Sequence, residues 1–477
     1  MIKAGQGDSV ARELMRLPRA NAPTEVLSKI ANIAWRINRP AIGLKILFPE
    51  IRRRENLKER QDPDILTEYA GCLLEIGALT EAKMMLRDLG TVSLRSKFYL
   101  SLLLFKEWNY QGAIPVLESY LSQLPDDYHK LVVQVNLAAA YVIVGKLEEA
   151  NALFAGLIPR LQKEGHFLLL GNCYEIQSQI PFYMADHQQA LKILEESEKL
   201  LAGSKNMGWL YCKKWQFINR LSLAGSTNEE LDVLSQDLKV TAVRMASWET
   251  LRELDLYTAI YSRDADLANH VYFGSPQAIY RTRVQSMTGD LELAGEHTWI
   301  SSTGGHAASL YDLENVLGDS STSFLVKKLL LILTSDFYAE FRTGQLFSQI
   351  FEGEFYNPET SPDRVFQLVR RLRAWFEVLN WKCRIDSKGG GYRLAFEENH
   401  GIVIARKLIE SPPHDKVTSI ELKLKKKFKD LHFTSKDAGE ALSCSTRSAN
   451  RLLKDLRSKG RVEVSGKARF ARFKLAG

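Results

Sequence analysis

The chain is poor in the features that mark an enzyme, a membrane protein or a secreted protein. It carries five cysteines in 477 residues, Cys72, Cys173, Cys212, Cys383 and Cys444. None forms a C-x-x-C pair, which argues against a zinc ribbon or a disulfide framework and predicts a reducing, cytoplasmic setting. No apolar run approaches the roughly 18–20 residues a membrane span requires. The best candidate, "FLVKKLLLIL" at 324–333, is short and is broken by Lys327 and Lys328. The start, "MIKAGQGDSVARELM", has no apolar core behind its lysine, so no signal peptide is read there. The histidines are scattered and no H-E-x-x-H occurs. There is no G-x-x-x-x-G-K-[ST], so the glycines of "SKGGGYRLAF" at 387–396 are not a nucleotide P-loop. A G-x-S-x-G elbow, a carboxylate pair and a Cys/His cluster at metal spacing are also missing. The expectation is a protein that is not an enzyme, holds no cofactor and does not enter a membrane.

What is present is an uneven charge. The net charge is +7. Residues 401–477 hold 19 Lys and Arg against 8 Asp and Glu, or +11, whereas residues 1–320 sum to −5. A basic end on a mildly acidic body is the electrostatic footprint of nucleic-acid binding; the plain alternative is a solubilising tail.

Residues 1–292 read as a helical repeat array. Four segments share one design: "YAGCLLEIGALTEAKMML" (69–86), "YLSLLLFKEWNYQGAIPVL" (99–117), "NLAAAYVIVGKLEEANALF" (136–154) and "EIQSQIPFYMADHQQALKIL" (175–194). Weaker copies lie at 30–47 and 217–234. Each has an apolar helix, a short turn, then a second helix opened by a small or apolar residue: Gly43, Ala82, Ala113, Ala150, Ala190 and Leu231. A small residue there lets two helices approach closely. This pattern resembles tetratricopeptide (TPR) repeats, whose period is about 34 residues. The resemblance implies helix pairs stacked into an α-solenoid, with a groove for a peptide or protein partner. The alternative is a spacer or dimerisation arm. Residues 240–292 continue or cap the array.

Residues 293–400 change texture. "EHTWISSTGGHAASLYDL" (296–313) predicts a strand, a Gly-Gly turn and a strand. Helices are expected at 323–341, at 342–355 and at 361–379, the last with Ser361 as N-cap and Pro362 at its first position. "WKCRIDSKGGGYRLAF" (381–396) predicts strand, glycine turn, strand. Three helices and a hairpin are the winged-helix plan. On the third helix Val365, Val369, Leu372 and Phe376 fall on one stripe. Arg364, Gln367, Arg370, Arg371 and Ala374 fall on the other face. Arginine and glutamine suit guanine and adenine edges in a major groove.

"RVFQLVRRLRAWF" followed by "CRIDSKGGGYRLAF" resembles the DNA-binding domain of OmpR/PhoB-type response regulators. The match runs through Val365, Val369, Leu372, Arg373, Lys388, Gly389, Gly391, Tyr392, Arg393 and Leu394. It implies that the third helix enters a major groove, with Lys388 at the wing. Tyr392 and Leu394 are expected to anchor the wing, and Lys388 and Arg393 to face outward or toward a phosphate. Phe366 and Leu368 stand where that family commonly has polar residues, and no receiver domain precedes the segment.

Residues 414–477 form a second reader. "FTSKDAGEALSCSTRSANRLLKDLRSKGRVEVSGKARFARFKL" (433–475) resembles the winged helix-turn-helix of many bacterial transcription regulators. It follows a lysine-rich helix expected at 417–431. Thr434 or Ser435 caps one helix, Ser445 caps the next, Gly460 closes it, and Ser465-Gly466 turns the wing. Ala449, Leu452, Leu453 and Leu456 are the core stripe. Arg447, Asn450, Arg451 and Lys454 form the reading face, with Lys467, Arg469 and Arg472 on the wing.

The sequence therefore predicts a mainly α protein: a TPR-like α-solenoid followed by two winged-helix (α+β) domains. The function expected is a DNA-binding transcriptional regulator of bacterial type. Its partners would be double-stranded DNA and a protein or peptide in the repeat groove, and it would act as a homodimer if it meets two half-sites. The alternative is an interaction scaffold whose winged helices dock protein or RNA.

Overall fold

A computed structural model describes residues 7–16, 22–57, 61–90, 92–125, 127–204, 206–289, 291–300, 306–309, 321–387, 390–397, 400–405, 424, 427–428, 431–442, 446–458, 461–465 and 472–475. After α1 (Gly7–Arg16) come seven helix pairs. They are α2 (Thr24–Arg36) with α3 (Pro40–Leu57), α4 (Pro63–Ile76) with α5 (Leu79–Leu89), α6 (Leu94–Lys106) with α7 (Tyr110–Leu121), and α8 (Tyr128–Ile143) with α9 (Leu147–Lys163). Then follow α10 (Phe167–Tyr183) with α11 (His187–Leu201), α12 (Met207–Ala224) with α13 (Glu229–Arg244), and α14 (Trp248–Ser262) with α15 (Ala265–Phe273). α16 (Ala278–Met287) closes the array. Consecutive helices pack together along the whole series, so the body is a helical solenoid of the TPR-like kind expected. No helix among the described residues is long and apolar enough to cross a membrane.

One backbone device recurs in every pair. The turn between its helices contains a residue in the left-handed region: Asn38, Gly77, Trp108, Gly145, Ala185, Gly225 and Arg263. Five residues later stands a buried small residue, Gly43, Ala82, Ala113, Ala150, Ala190 or Ala268. Only α13 differs, because buried Leu231 comes six residues after Gly225. The close approach is real at Gly43, where an added Cβ would stand 2.5 Å from Cys72 Sγ. Side-chain caps from Asp62, Asn109, Asp127, Asp186, Asn206, Asn228 and Asp264 satisfy orphan N–H groups and fix where helices begin.

The array doubles back on itself. On α16, Tyr280 packs its ring 4.6 Å from Trp108 at the α6–α7 turn, and the Arg283 guanidinium lies 5.1 Å over the same indole. Arg283 and Lys214 both pair with Glu253 of α14, and Lys214 and Glu253 are fully buried. A buried charge pair is tolerated only when its partners are in place. This cluster therefore fixes α12, α14 and α16 against one another.

A mixed module follows. It comprises β1 (Glu296–Ile300), β2 (His306–Ser309), α17 (Ser321–Leu333), β3 (Phe341–Arg342), α18 (Thr343–Ile350), α19 (Ser361–Val378), β4 (Cys383–Asp386), β5 (Gly391–Phe396) and β6 (His400–Ala405). Strands β3, β5 and β4 form one antiparallel sheet, so the hairpin expected at 381–396 is present. The 296–313 segment is not a hairpin. β6 lies between β1 and β2, antiparallel to the first and parallel to the second, so the two strands pair with β6. The Gly-Gly turn falls outside the described residues.

Three helix boundaries differ from expectation. α17 stops at Leu333 rather than 341 because Asp336 leaves the helix to pair with Arg252 of the solenoid. α18 stops at Ile350 rather than 355, ahead of the left-handed Gly353. The N-cap of α19 is Thr360, not Ser361. The Ser361 hydroxyl instead accepts from the Asn357 N–H at 2.9 Å, ordering the approach to the helix.

The last module contains α20 (Ser435–Ala441), α21 (Thr446–Ser458), β7 (Val462–Ser465) and β8 (Arg472–Leu475). Thr434 and Asp437 form a reciprocal capping box on α20. A separate core of Leu424, Phe433, Ala438, Ala449, Leu453, Leu456, Val462, Phe473 and Leu475 holds the two helices to the antiparallel β7–β8 pair. Leu452, expected in the core stripe, is half-buried. Ser445, Gly460, Gly466 and most of 417–431 lie outside the described residues.

Candidate nucleic-acid interface

α19 divides its side chains as its periodicity predicts. Val365, Leu368, Val369, Leu372 and Phe376 are buried against α17, α18 and the hairpin. Phe366, Gln367, Arg370, Arg371 and Ala374 lie on the other side, all of them exposed. Among the described residues, Gln367, Arg370 and Arg371 have no side-chain ion-pair or hydrogen-bond partner. Asp363 and Glu377 flank this face at the two ends of the helix and leave its middle turns basic.

Several other cations of the module are engaged. Arg364 is turned onto Phe351, 3.8 Å from the ring centroid, and its guanidinium donates to Glu354 at 2.6 Å. It ties α19 to the preceding loop. Arg373 donates to the Ile385 carbonyl at 2.6 Å, joining the helix to β4. Arg384 pairs with Asp386, and Lys328 with Glu352. Arg393 is half-buried on β5 beside buried Tyr392 and Leu394, which anchor the hairpin. Lys388, at the tip, lies outside the described residues.

The opposite side of the module is seated on the solenoid. Gly344 of α18 touches Ile76 of α4 so closely that an added Cβ would stand 2.5 Å from its Cδ1. Tyr69 Oη donates to the Tyr356 carbonyl at 3.2 Å, and the Tyr356 N–H donates to Glu81 Oε2 at 2.7 Å. Burial raises the Glu81 pKa to about 7, with that hydrogen bond and Arg52 opposing. Arg252 pairs with Asp336, and Tyr338 Oη donates to Asp255 at 2.8 Å. His270 and His297 lie together among Phe273, Phe337 and Trp299 where α15 meets β1. Burial lowers the pKa of both, that of His297 to about 4. The hydrophobic core runs without a break from the solenoid into this module. Sequence reasoning missed the hydrogen-bonded docking contacts because their partners lie 83 to 287 positions away.

In the last module Asn450 and Lys454 are exposed on α21, and Asn450 Oδ1 accepts from Ser435 Oγ at 2.6 Å. Arg447 and Arg451 lie on the same helix, but their side chains are outside the described residues, as are Lys467 and Arg469. Arg472 is exposed on β8.

Two other places were candidates for chemistry. A cleft of about 430 Å³ between the end of α19 and β4 mixes Arg373, Lys382 and Arg384 with Glu377 and Glu397, so it favours neither charge. Among the described residues no group of His, Cys, Asp or Glu is placed to hold a metal ion.

No family model and no curated protein matches the chain. Among solved structures, one similar chain is the Rap protein complexed with competence and sporulation factor. It is 12% identical with a TM-score of 0.39, and the match covers 78% of this chain and 93% of that one. Another is the human IFIT1 dimer with m7Gppp-AAAA, at 14% identity and a TM-score of 0.36, covering 77% and 86%. At such scores neither neighbour's ligand bears on this chain.

Proposed function

We propose that this chain is a helical-repeat scaffold that presents winged-helix faces to double-stranded DNA, acting as a transcriptional regulator. Its units would be the solenoid at 1–292, an OmpR/PhoB-like module from 293, with β6 carrying it past 400 to 405, and a second reader at 414–477. The observation that carries this reading is on the first module, where, among the described residues, Gln367, Arg370 and Arg371 have no polar partner on one exposed helix face while Arg364, Arg373 and Arg384 are tied down. The +11 charge of residues 401–477 further supports affinity for phosphates.

A second reading, protein docking by the winged helices, is favoured by the seating of α18 and Tyr356 on α4 and α5. The experiment that separates the two is fluorescence anisotropy of the full chain with labelled duplex DNA across a salt series. DNA binding predicts a linear fall of log affinity with log salt. Arg370→Ala with Arg371→Ala should weaken binding by about 1–3 kcal/mol for each base edge left unread and relax the sequence preference there. Arg447→Ala with Arg451→Ala tests the last module in the same way. Absence of binding to any duplex at low salt would reject the DNA reading and leave docking to protein.

A further inference from the structure

The aromatic ring on the exposed face of α19 lies outside the core. Phe366 is 61% exposed, although the core stripe of α19 is already complete without it. A single exposed apolar side chain is ordinary. This one, however, sits within a polar patch: Arg370 is one turn on, Gln367 is its neighbour, and Ala374 keeps the next turn low enough for a close approach. The ring is held edge-on to the buried Tyr392 of β5, with centroids 6.4 Å apart and planes at 90°. A ring steadied in that way loses little freedom when it meets a surface.

In a major groove the C5 methyl of thymine is the one apolar group on the base edges, and aromatic or methyl-bearing side chains contact it. We infer that Phe366 is a specificity-determining residue of the first module, packing on the methyl group of a thymine while Gln367 and the two arginines meet neighbouring polar edges. This rests on the DNA reading above and adds to it a preference that cations alone would not give, since phosphate contacts carry no sequence information.

The test uses the full chain. A preferred duplex is selected from a random pool, and each of its thymines is replaced in turn by deoxyuridine, which removes only the methyl. One position is expected to weaken binding about fourfold, the worth of one buried methyl-sized group. Phe366→Ala should bind thymine and deoxyuridine duplexes equally at that position, and Phe366→Leu should retain part of the difference. An exposed position leaves folding intact, checked by an unchanged melting temperature. If duplex is bound but no uridine matters, the inference fails and the DNA reading stands. If Phe366→Ala still distinguishes the bases as well as the parent chain does, another residue reads the methyl and the inference is overturned. If no duplex is bound at low salt, both fall together.

Discussion

The two C-terminal modules follow a similar element order and hold themselves together differently. In each, helices precede an antiparallel strand pair. The first shares its hydrophobic core with the solenoid and is fastened by the buried Arg252–Asp336 pair, the Tyr338–Asp255 bond and the seating of α18 on α4. The second rests on a core of its own. A module built into the solenoid takes its orientation from the solenoid, and anything that strains the repeats acts on it directly. A module with its own core answers mainly to its local sequence.

Three changes would break or sharpen this contrast. The largest effect is expected from Asp336→Ala, which strands the Arg252 guanidinium in the interface. Removing one partner of a buried pair costs about 3–5 kcal/mol. Calorimetry should show the joint transition of solenoid and first module moving down while the last module's own transition stays. A single shared transition that moves as a whole would dissolve the contrast. Next is acid. His297 has its pKa lowered from 6.5 to about 4 and His270 is lowered too, both by burial. Both are therefore held neutral in the fold and gain protons on unfolding. Their contribution is whole above pH 6.5 and is lost as pH falls toward 4, by about 2 kcal/mol after allowance for partial exposure. His297→Phe should flatten that dependence in the melting temperature of the joint unit. The smallest is Thr434→Ala, which opens the capping box of α20 at a cost of about 1 kcal/mol. Hydrogen exchange should quicken in α20 and α21 alone; a change in α19 would show that the modules are coupled.

How much of this was legible follows from sequence distance. The helix pairs were visible because a turn and a small residue five positions on are local signals. The seventh pair was read only as a helical continuation of the array, although Arg263 and Ala268 keep the same turn and spacing. The α19 core stripe was readable from periodicity, and Arg370 and Arg371 emerged on the expected face. Arg364 lies on the same arc but turns onto Phe351, an aromatic thirteen positions earlier that helix periodicity cannot place beside it. The docking of Gly344, Tyr356 and Asp336 was hidden for the same reason.

The central place of β6 has a consequence in time. β1 is synthesised about a hundred residues before the strand that joins it to β2, and neither has its pairing partner in the sheet until residues 400–405 arrive. Closing so long a loop is slow. During synthesis the repeats can stack as they emerge, while Trp299 and its neighbours wait unpaired. A chain cut at residue 399 would carry all three helices and both strands of the β4–β5 hairpin and still leave its other sheet without a centre.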